Sequence, residues 1–202
     1  HRSYGVTGRG ITVAVIDTGV DPHSALKQVL LPGYDFTRNR EGGAERGDVH
    51  QSTMAILAGE PGFVNQTTMA ILDQSTMAIL DGPDYAAFGH GTMVAGVVHL
   101  TAPRAHILPL KAFKANGSGY SSDVLRAIYA AVHQNADVIN MSFSFSTKSR
   151  ELERALNHAT GRGVIALAST GNNGQKVNVY PAALSNVIGV ASSTDWDTLS
   201  YF

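Results

Sequence analysis

The feature that most constrains the fold is a nearly continuous run of β-branched and apolar residues near the amino terminus. Its sequence, over residues 11–17, is ITVAVID. A strand with one solvent-exposed face alternates apolar and polar residues, whereas a strand buried on both faces shows a continuous apolar run. The run therefore predicts a central strand of a parallel sheet, covered on both sides and ending on an acid.

Further apolar runs alternate along the chain with segments of helical periodicity. The helix predicted over 121–134 has Ser121 or Ser122 as its cap. The helix predicted over 149–160 is also capped, beginning at Ser149, and Gly161 ends it. A chain of 202 residues, 44% of them hydrophobic, can bury one sizeable core. The pattern predicts an α/β fold with three layers and a doubly wound, mostly parallel sheet. The predicted strands are 11–17, 105–113, 137–143, 163–168 and 186–191, and the predicted helices are 89–99, 121–134 and 149–160.

Charge and composition exclude several classes of function. The 15 basic and 16 acidic residues leave a net charge of −1, which gives no basis for a nucleic-acid partner or an anionic membrane. The absence of cysteine excludes disulfides, cysteine-ligated zinc and thiol catalysis. No apolar run reaches the ~20 residues of a membrane span, and the polar residues 1–10 do not resemble a signal peptide.

Residues 39–84 interrupt the alternation of strands and helices. They contain three near-copies of one heptapeptide, QSTMAIL at 51–57, QTTMAIL at 66–72 and QSTMAIL at 74–80. These copies are far shorter than the repeat of a solenoid, so we expect a surface insertion. Because threonine and isoleucine favour strands, a small hairpin or tongue is the expected form. Because the copies are uncharged and apolar, the alternatives are a duplicated surface loop and an edge that self-associates or binds a partner.

Three segments at predicted strand ends or helix starts contain residues that could perform chemistry. Asp17-Thr18-Gly19 could belong to an aspartic protease, which needs a second such motif that the sequence lacks, or to a Ser-His-Asp triad. It could also simply cap a turn. His90 lies between two glycines at a predicted helix start, which allows other backbone to approach its ring. Asn172, on a glycine-bounded turn after a strand, could donate to an oxyanion, although Asn-Gly turns are common.

Together and in this order, these segments resemble the subtilisin-like serine proteases, the subtilases. VAVIDTGV at 13–20 is similar to the family's aspartate motif, and HGTMVAG at 90–96 is similar to its histidine motif. VINMSFS at 138–144 resembles the substrate-binding strand, and ASTGNNG at 168–174 resembles the oxyanion-asparagine motif. The resemblance covers nearly the whole chain apart from the insertion.

The resemblance implies a role for each matching residue. Asp17 would orient His90, His90 would act as general base and then general acid, and Asn172 would stabilise the oxyanion. The substrate would be an extended peptide or protein, bound as an added strand between two segments of the chain. The implied substrate-binding residues are Gly117, Ser118, Gly119, Ser142, Phe143, Ser144, Ser169, Thr170 and Gly171.

Two positions depart from the family pattern. Met93 stands where the family usually has a second histidine, and we expect only a change of packing there. Ser144 stands where a glycine is usual, and its side chain is expected to narrow the pocket.

The sequence contains no segment similar to G-T-S-x-x-x-P, the family's nucleophile motif. We therefore expect residues 1–202 to form an incomplete peptidase domain that lacks the C-terminal serine helix and does not hydrolyse peptides. The alternative function is a non-catalytic fragment or pseudo-protease that binds extended peptides or a protein partner. Without that helix an apolar groove would stay open, and self-association, a rearranged segment or a companion C-terminal fragment would cover it.

Two further properties follow from the resemblance alone. Calcium is common in the family, but the sequence has no D-x-D-x-D-G loop to bind it, so no cofactor is assigned. Secretion, or an extracellular location, is expected on the same ground.

Overall fold

The strands form one mixed sheet with the predicted central strand in the middle. The computed structural model describes residues 5–48, 85–172, 176–196 and 198–200. Within these residues the sheet has the order β3-β2-β4-β1-β5-β6-β7, and every neighbouring pair is parallel except β2 and β3. The strands are β1 Thr12–Asp17, β2 Tyr34–Asp35, β3 Arg40–Glu41, β4 His106–Lys111, β5 Val138–Met141, β6 Ile165–Ser169 and β7 Ile188–Val190. The predicted α/β class and the mostly parallel sheet are confirmed.

Strand β1 is hydrogen-bonded on both sides, to β4 and to β5. Its register with β4 places Asp17 opposite Lys111 at the carboxyl ends of the two strands. Its residues point alternately to two apolar clusters, one containing Ala14 and Ile16 and the other containing Val13 and Val15. Burial on both faces explains why the run carries no alternating polar residues.

Within the described ranges, three α-helices lie on the two faces of the sheet. They are α1 His90–Thr101, α2 Ser121–His133 and α3 Arg150–Thr160. Ala95 of α1 belongs to the cluster of Val13 and Val15, whereas α2 and α3 pack in the cluster of Ala14 and Ile16. The predicted three layers are therefore present.

The helix caps were predicted correctly in one case and wrongly in another. The Ser149 hydroxyl accepts a hydrogen bond from the Leu152 amide at 3.2 Å, which caps α3. Neither Ser121 nor Ser122 caps α2, because Tyr120 occupies the cap position and makes no side-chain hydrogen bond there.

The beginning of the predicted 39–84 insertion belongs to the described structure. Strand β3 pairs with β2 at one edge of the sheet, and a short 3-10 turn follows over Glu45–Asp48. The three heptapeptide copies lie outside the described residues. Tyr85, where the description resumes, stands five residues before His90.

One face of the sheet is only partly covered. The pairing of Val138 with Ile165, and of Leu167 with Ile188, places the outer residues of β6 and β7 on the same face as α1. Six apolar side chains of this region are each at least half exposed: Met93, Val97, Leu100, Ile165, Ile188 and Val190. We call this surface the apolar face. In the described part of the chain, no helix is long and apolar enough to cross a membrane.

Candidate active site

The candidate site is centred on an ion pair between the end of β1 and the start of α1. Oδ1 of Asp17 lies 2.7 Å from Nδ1 of His90. The same oxygen accepts the amide hydrogen of Thr18 at 2.7 Å, and the Asp17 side chain is 3% exposed against 43% for the imidazole. The carboxylate is thus a buried and fixed acceptor, whereas the imidazole reaches solvent.

The first turn of α1 is fixed directly against the loop that follows β1. Gly89, just before the helix, has a φ of 86°, a left-handed conformation that favours glycine. The amide of Gly91 donates to the hydroxyl of Thr18 at 3.1 Å, and the hydroxyl of Thr92 accepts from the amide of Asp21 at 2.9 Å. His90 therefore begins a helix whose position is set by the residues that follow Asp17.

The environment raises the pKa of His90 above its usual value. The hydrogen bond to Asp17 is the main cause; burial acts in the opposite direction, and the negative charges of Asp17 and Glu45 add to the increase. Because Nδ1 is engaged by the carboxylate, Nε2 is the ring nitrogen that can exchange a proton with a bound molecule. A histidine held in this way has the arrangement of a general base.

A cavity of about 190 Å³ opens beside this pair. Its walls include the rings of Phe113 and Phe143, whose centroids are 4.9 Å apart. The structure therefore brings five of the residues predicted for the site around one cavity: Asp17, His90, Gly117, Ser142 and Phe143. The complete lining is Asp17, Thr18, Ala87, His90, Phe113, Gly117, Ser142 and Phe143.

Ser144 and Gly171 face each other next to this cavity, although neither lines it. A Cβ built on Gly171 would lie 3.5 Å from Oγ of Ser144. Ser169 ends β6, and its hydroxyl accepts from the Gly171 amide at 3.1 Å. The Thr170 amide donates to the carbonyl of Val190 at 3.0 Å. The predicted pocket walls thus belong to two neighbouring strand ends, those of β5 and β6.

The remaining predicted residues lie farther along the same edge of the sheet. The carbonyl of Ser118 accepts a hydrogen bond from the amide of Lys114 at 2.8 Å. Gly117 and Ser118 therefore belong to a tight turn after β4. Gly119 lies just before α2 and carries no regular strand structure. Asn172 occupies an exposed bend after β6. None of these three residues, Ser118, Gly119 and Asn172, lines the cavity beside His90.

A second, larger cavity adjoins Ser144 on the side of α2 and α3. Its volume is about 490 Å³, and Val124, Leu152 and Phe145 contribute apolar lining. Phe145 and Tyr180 are joined by two backbone hydrogen bonds, of 2.7 and 2.8 Å, with each amide donating to the other carbonyl. An apolar side chain of a ligand that passes Ser144 would find room here.

Two charged residues near the site were not predicted from the sequence. Glu45 is buried and its carboxylate contacts the start of α1. Lys111 is equally buried, and its ammonium donates to the Thr18 carbonyl at 2.7 Å and to Asp48 at 2.6 Å. The lysine within the apolar run LPLKAF was a usable signal, whereas a glutamate in a glycine-rich segment gave none.

The described residues do not fit a metal site. They contain no group of three or more histidine or carboxylate side chains placed to share an ion. The calcium implied by the family resemblance therefore has no donor set in this part of the molecule, and no chemical step is derived from it.

Comparison with known proteins identifies the family. The model of the subtilase family matches residues 8–202. A thermophilic serine proteinase of Bacillus sp. (strain AK1) is 31% identical over 194 residues, which are 96% of this chain and 41% of that protein. The minor extracellular protease Epr of Bacillus subtilis (strain 168) is 30% identical over 209 residues, covering 98% of this chain and 26% of that protein.

A solved structure shows the same fold. The crystal structure of a cold adapted subtilisin-like serine proteinase superposes with a TM-score of 0.70 at 26% identity, covering 98% of this chain and 60% of the other. The chain thus spans less than two thirds of the length of these relatives. The family match over nearly all of its residues, and the close approach of Asp17 and His90 at the predicted motifs, lead to one conclusion: the chain belongs to the subtilase family.

Proposed function

We propose that this chain carries the acid–base pair and the peptide-binding surface of a serine endopeptidase. Membership of the subtilase family supports serine protease function in general, with peptides or proteins as substrates. The observation that carries the proposal is the 2.7 Å contact between Asp17 and His90 at the mouth of a cavity. A buried acid holding a half-exposed imidazole is the arrangement that proton transfer to and from a nucleophile requires.

In the proposed reaction each residue has a distinct role. Asp17 holds the imidazole of His90 through Nδ1 and stabilises its positive charge, so that Nε2 takes a proton from the nucleophile and returns it to the leaving amine. Asn172 supplies a side-chain N–H to the oxyanion of the tetrahedral intermediate. Its exposed position in a bend after β6 supports this role.

The peptide would lie extended between Gly117–Gly119 and Ser142–Ser144. Gly117–Gly119 follow β4 and Ser142–Ser144 follow β5, the two strands on either side of β1. Ligands of doubly wound sheets bind outside the carboxyl ends of such strands. Ser169, Thr170 and Gly171 would form the far wall of the main pocket, with Ser144 opposite Gly171. The apolar linings of the two cavities support a preference for apolar side chains.

The 202 residues do not by themselves supply a serine in the nucleophile motif. We propose that they bind peptides without hydrolysing them, because members of a catalytic triad act as a unit. A non-catalytic peptide-binding role is the second candidate function, and the cavity beside His90 is the observation that favours it. The two functions share the same binding surface and differ only in the nucleophile.

The experiment is a titration of the ¹⁵N-labelled chain with a blocked, uncharged tetrapeptide p-nitroanilide that has an aromatic side chain. We expect amide shifts at Gly117, Ser142 and Phe143 and no release of p-nitroaniline. The Phe143→Ala variant should bind more weakly, whereas Tyr129→Ala removes an aromatic ring that contacts His158 on another surface and should bind normally. Shifts that avoid all three amides would contradict the peptide site.

Hydrolysis tests the catalytic part separately. Release of p-nitroaniline that disappears in His90→Ala would show that the chain contains a nucleophile after all. A fluorophosphonate probe read by intact mass is expected to leave the chain unlabelled, and a labelled serine would contradict the proposal in the same way.

We also propose a covering partner and an extracellular location. The apolar face is large for a surface in permanent contact with water, which supports its coverage by another polypeptide, either a second copy or a companion C-terminal fragment. The extracellular location is supported by the similarity to the Bacillus subtilis relative, which is an extracellular protease.

A further inference from the structure

Glu45 lies at the start of α1 although it is 44 residues away in sequence. It belongs to the 3-10 turn Glu45–Asp48 and its side chain is 0% exposed. Oε2 accepts the amide hydrogen of Gly89, and Oε1 accepts the amide of Thr92 at 3.0 Å and the hydroxyl of Thr92 at 3.2 Å. One carboxylate thus binds the residues on both sides of His90.

This contact replaces the cap that α1 lacks. The first amide hydrogens of a helix have no partner within the helix and need an acceptor from elsewhere. Gly89 occupies the cap position and has no side chain to provide one. A carboxylate is favourable here because it also interacts with the positive end of the helix dipole.

The approach of Glu45 depends on a second glycine. A Cβ on Gly19 would lie 2.6 Å from the Gly43 carbonyl and 3.1 Å from Cγ of Glu45. Gly19 follows Thr18 and Asp17, so the turn that carries Glu45 packs directly against the loop of the catalytic acid. The carboxylate is therefore fixed relative to both Asp17 and α1.

We propose that Glu45 is a positioning residue, which fixes the first turn of α1 and thereby directs the imidazole of His90 toward Asp17. The proposal rests on the proposed function only where it assigns proton transfer to His90. The arrangement itself is a property of the unliganded chain. Glu45 lies within residues 39–84, which the sequence predicted to be a surface insertion.

The charges around Glu45 make this arrangement sensitive to pH. Burial, as the main cause, raises the pKa of Glu45 to about 7, and the charges of Asp21 and Asp17 act in the same direction. His90 faces it from α1, and Arg46 on the same turn contacts Asp21 at 3.5 Å. The ionised carboxylate can accept hydrogen bonds from both amides and from the Thr92 hydroxyl. In the protonated form, one carboxyl oxygen carries a hydrogen of its own, which points toward one of these donors. Protonation of Glu45 therefore changes the hydrogen bonds at the start of α1.

A role in positioning differs from a purely electrostatic effect on His90. Glu45→Gln removes the charge and leaves one acceptor oxygen. Glu45→Asp keeps the charge and shortens the side chain by one methylene, so that it no longer spans Gly89 and Thr92. Positioning predicts that both variants disturb His90, whereas a charge effect predicts that Glu45→Asp is silent.

The experiment is NMR of the His90 ring in the chain without substrate, so it is independent of whether the chain hydrolyses peptides. In the native chain we expect a downfield Nδ1–H signal from the bond to Asp17. We also expect two inflections in the ring titration, the second at the midpoint of the ¹³C-carboxyl signal of Glu45. In both Glu45 variants the Nδ1–H signal should broaden or disappear, and in Glu45→Gln the second inflection should vanish and the His90 midpoint should fall.

Asp123→Asn is the matched control, because Asp123 is also a buried carboxylate and accepts a bond from Arg126 at 2.7 Å on α2, but contacts neither α1 nor the turn Glu45–Asp48 among the bonds of the described residues. Its His90 spectrum should be native. A native Nδ1–H signal in Glu45→Asp would overturn the proposal. Absence of the downfield Nδ1–H signal in the native chain would also overturn it, and this measurement stands even if the Glu45 variants do not fold.

Discussion

Gly91 lies so close to Gly19 that a Cβ on Gly91 would come within 2.1 Å of the Gly19 carbonyl oxygen. The same Cβ would lie 3.1 Å from Cβ of Asp17. The residue after His90 thus lies directly against the loop that follows Asp17. The distance between Asp17 and His90 depends on this close approach.

We therefore expect Gly91→Ala to separate the two elements. The inserted methyl group meets backbone, which cannot rotate away, so the free energy of unfolding should fall by about 3 kcal/mol or more. Urea unfolding measures this loss, and the Nδ1–H signal of His90 should be lost with it. Gly189→Ala is the control, since its Cβ would meet nothing closer than 3.3 Å, and its loss should be clearly smaller. Equal losses in the two variants would contradict the prediction.

The pKa of His90 should depend on Asp17 above all other residues. In Asp17→Asn the main cause of the raised pKa is absent, so the midpoint of the His90 ring titration should fall. Asp137→Asn removes a carboxylate at the opposite end of β1, where it accepts the Thr12 amide at 2.8 Å, and should leave the midpoint unchanged. If the His90 midpoint fell equally in both variants, the ion pair with Asp17 would not be the cause of the raised pKa.

The same substitution predicts a pH dependence of stability. A histidine whose pKa is raised by folding stabilises the native state fully below its unfolded pKa, and this stabilisation is lost as the pH rises through the folded value. The stability difference between the wild-type chain and Asp17→Asn should therefore be larger at pH 5.5 than at pH 8.5, by urea unfolding at both. A constant difference would contradict the assignment.

The central part of the fold could be predicted because burial on both faces of a strand leaves a signal in the sequence itself. The run ITVAVID becomes β1, from Thr12 to Asp17, and the helices at His90 and Arg150 start within a residue of their predicted bounds. Strands β2 and β3 have only two residues each, too few to show a period. Their place in the sheet depends on pairing with β4, which no local pattern encodes.

Some residues of the candidate site could likewise be predicted from the sequence, and others could not. Asp17 and His90 stand in motifs whose order is characteristic, so their meeting could be inferred from the resemblance. Glu45 could not be found, because GGAERGD has the composition of an exposed loop. Its burial results from contacts with Gly89 and Thr92, which are distant in sequence. A residue fixed by tertiary contacts alone leaves no periodicity to detect.

Glu45 should make the chain less stable as the pH rises from about 4.5 to about 7. Its pKa is raised by burial from 4.5 to about 7, so the native state binds the proton more tightly than the unfolded state over this window. At about 1.4 kcal/mol per pKa unit, the stability of the wild-type chain relative to Glu45→Gln should fall by roughly 3 kcal/mol. Urea unfolding of both chains at several pH values measures this slope.

The sign of this pH dependence of stability shows in which direction folding shifts the pKa of Glu45. A carboxylate whose pKa is lowered in the native state would give the opposite slope, with stability lost on acidification. The Asp123→Asn chain should retain the wild-type slope, because Glu45 and its contacts are still present. A slope that is absent, or reversed, would show that Glu45 is better solvated than its position implies.

Lys111 should be stabilising only while Asp48 is present. Its ammonium is buried between the Asp48 carboxylate and the Thr18 carbonyl, and Asp48 also accepts the Ala115 amide at 2.7 Å. Lys111→Met leaves a buried carboxylate without this partner, so we expect a loss of about 3 kcal/mol. The double variant with Asp48→Asn should lose less than the sum of the single variants, and additive losses in urea unfolding would contradict the coupling.

The apolar face should cause the 202-residue chain to self-associate. Its exposed side chains include Leu100 of α1 and Ile188 of β7, and burying them against a second copy removes apolar area from water. Sedimentation velocity should show a weight-average mass that rises with concentration. Leu100→Lys and Ile188→Lys should each shift the association to higher concentration, because a lysine ammonium resists burial. Tyr129→Lys changes an exposed aromatic residue of α2, on the opposite side of the sheet from α1, and should associate like the native chain. A chain that remains monomeric at all concentrations, or an association that Tyr129→Lys weakens as much as Leu100→Lys does, would show that the face does not drive self-association.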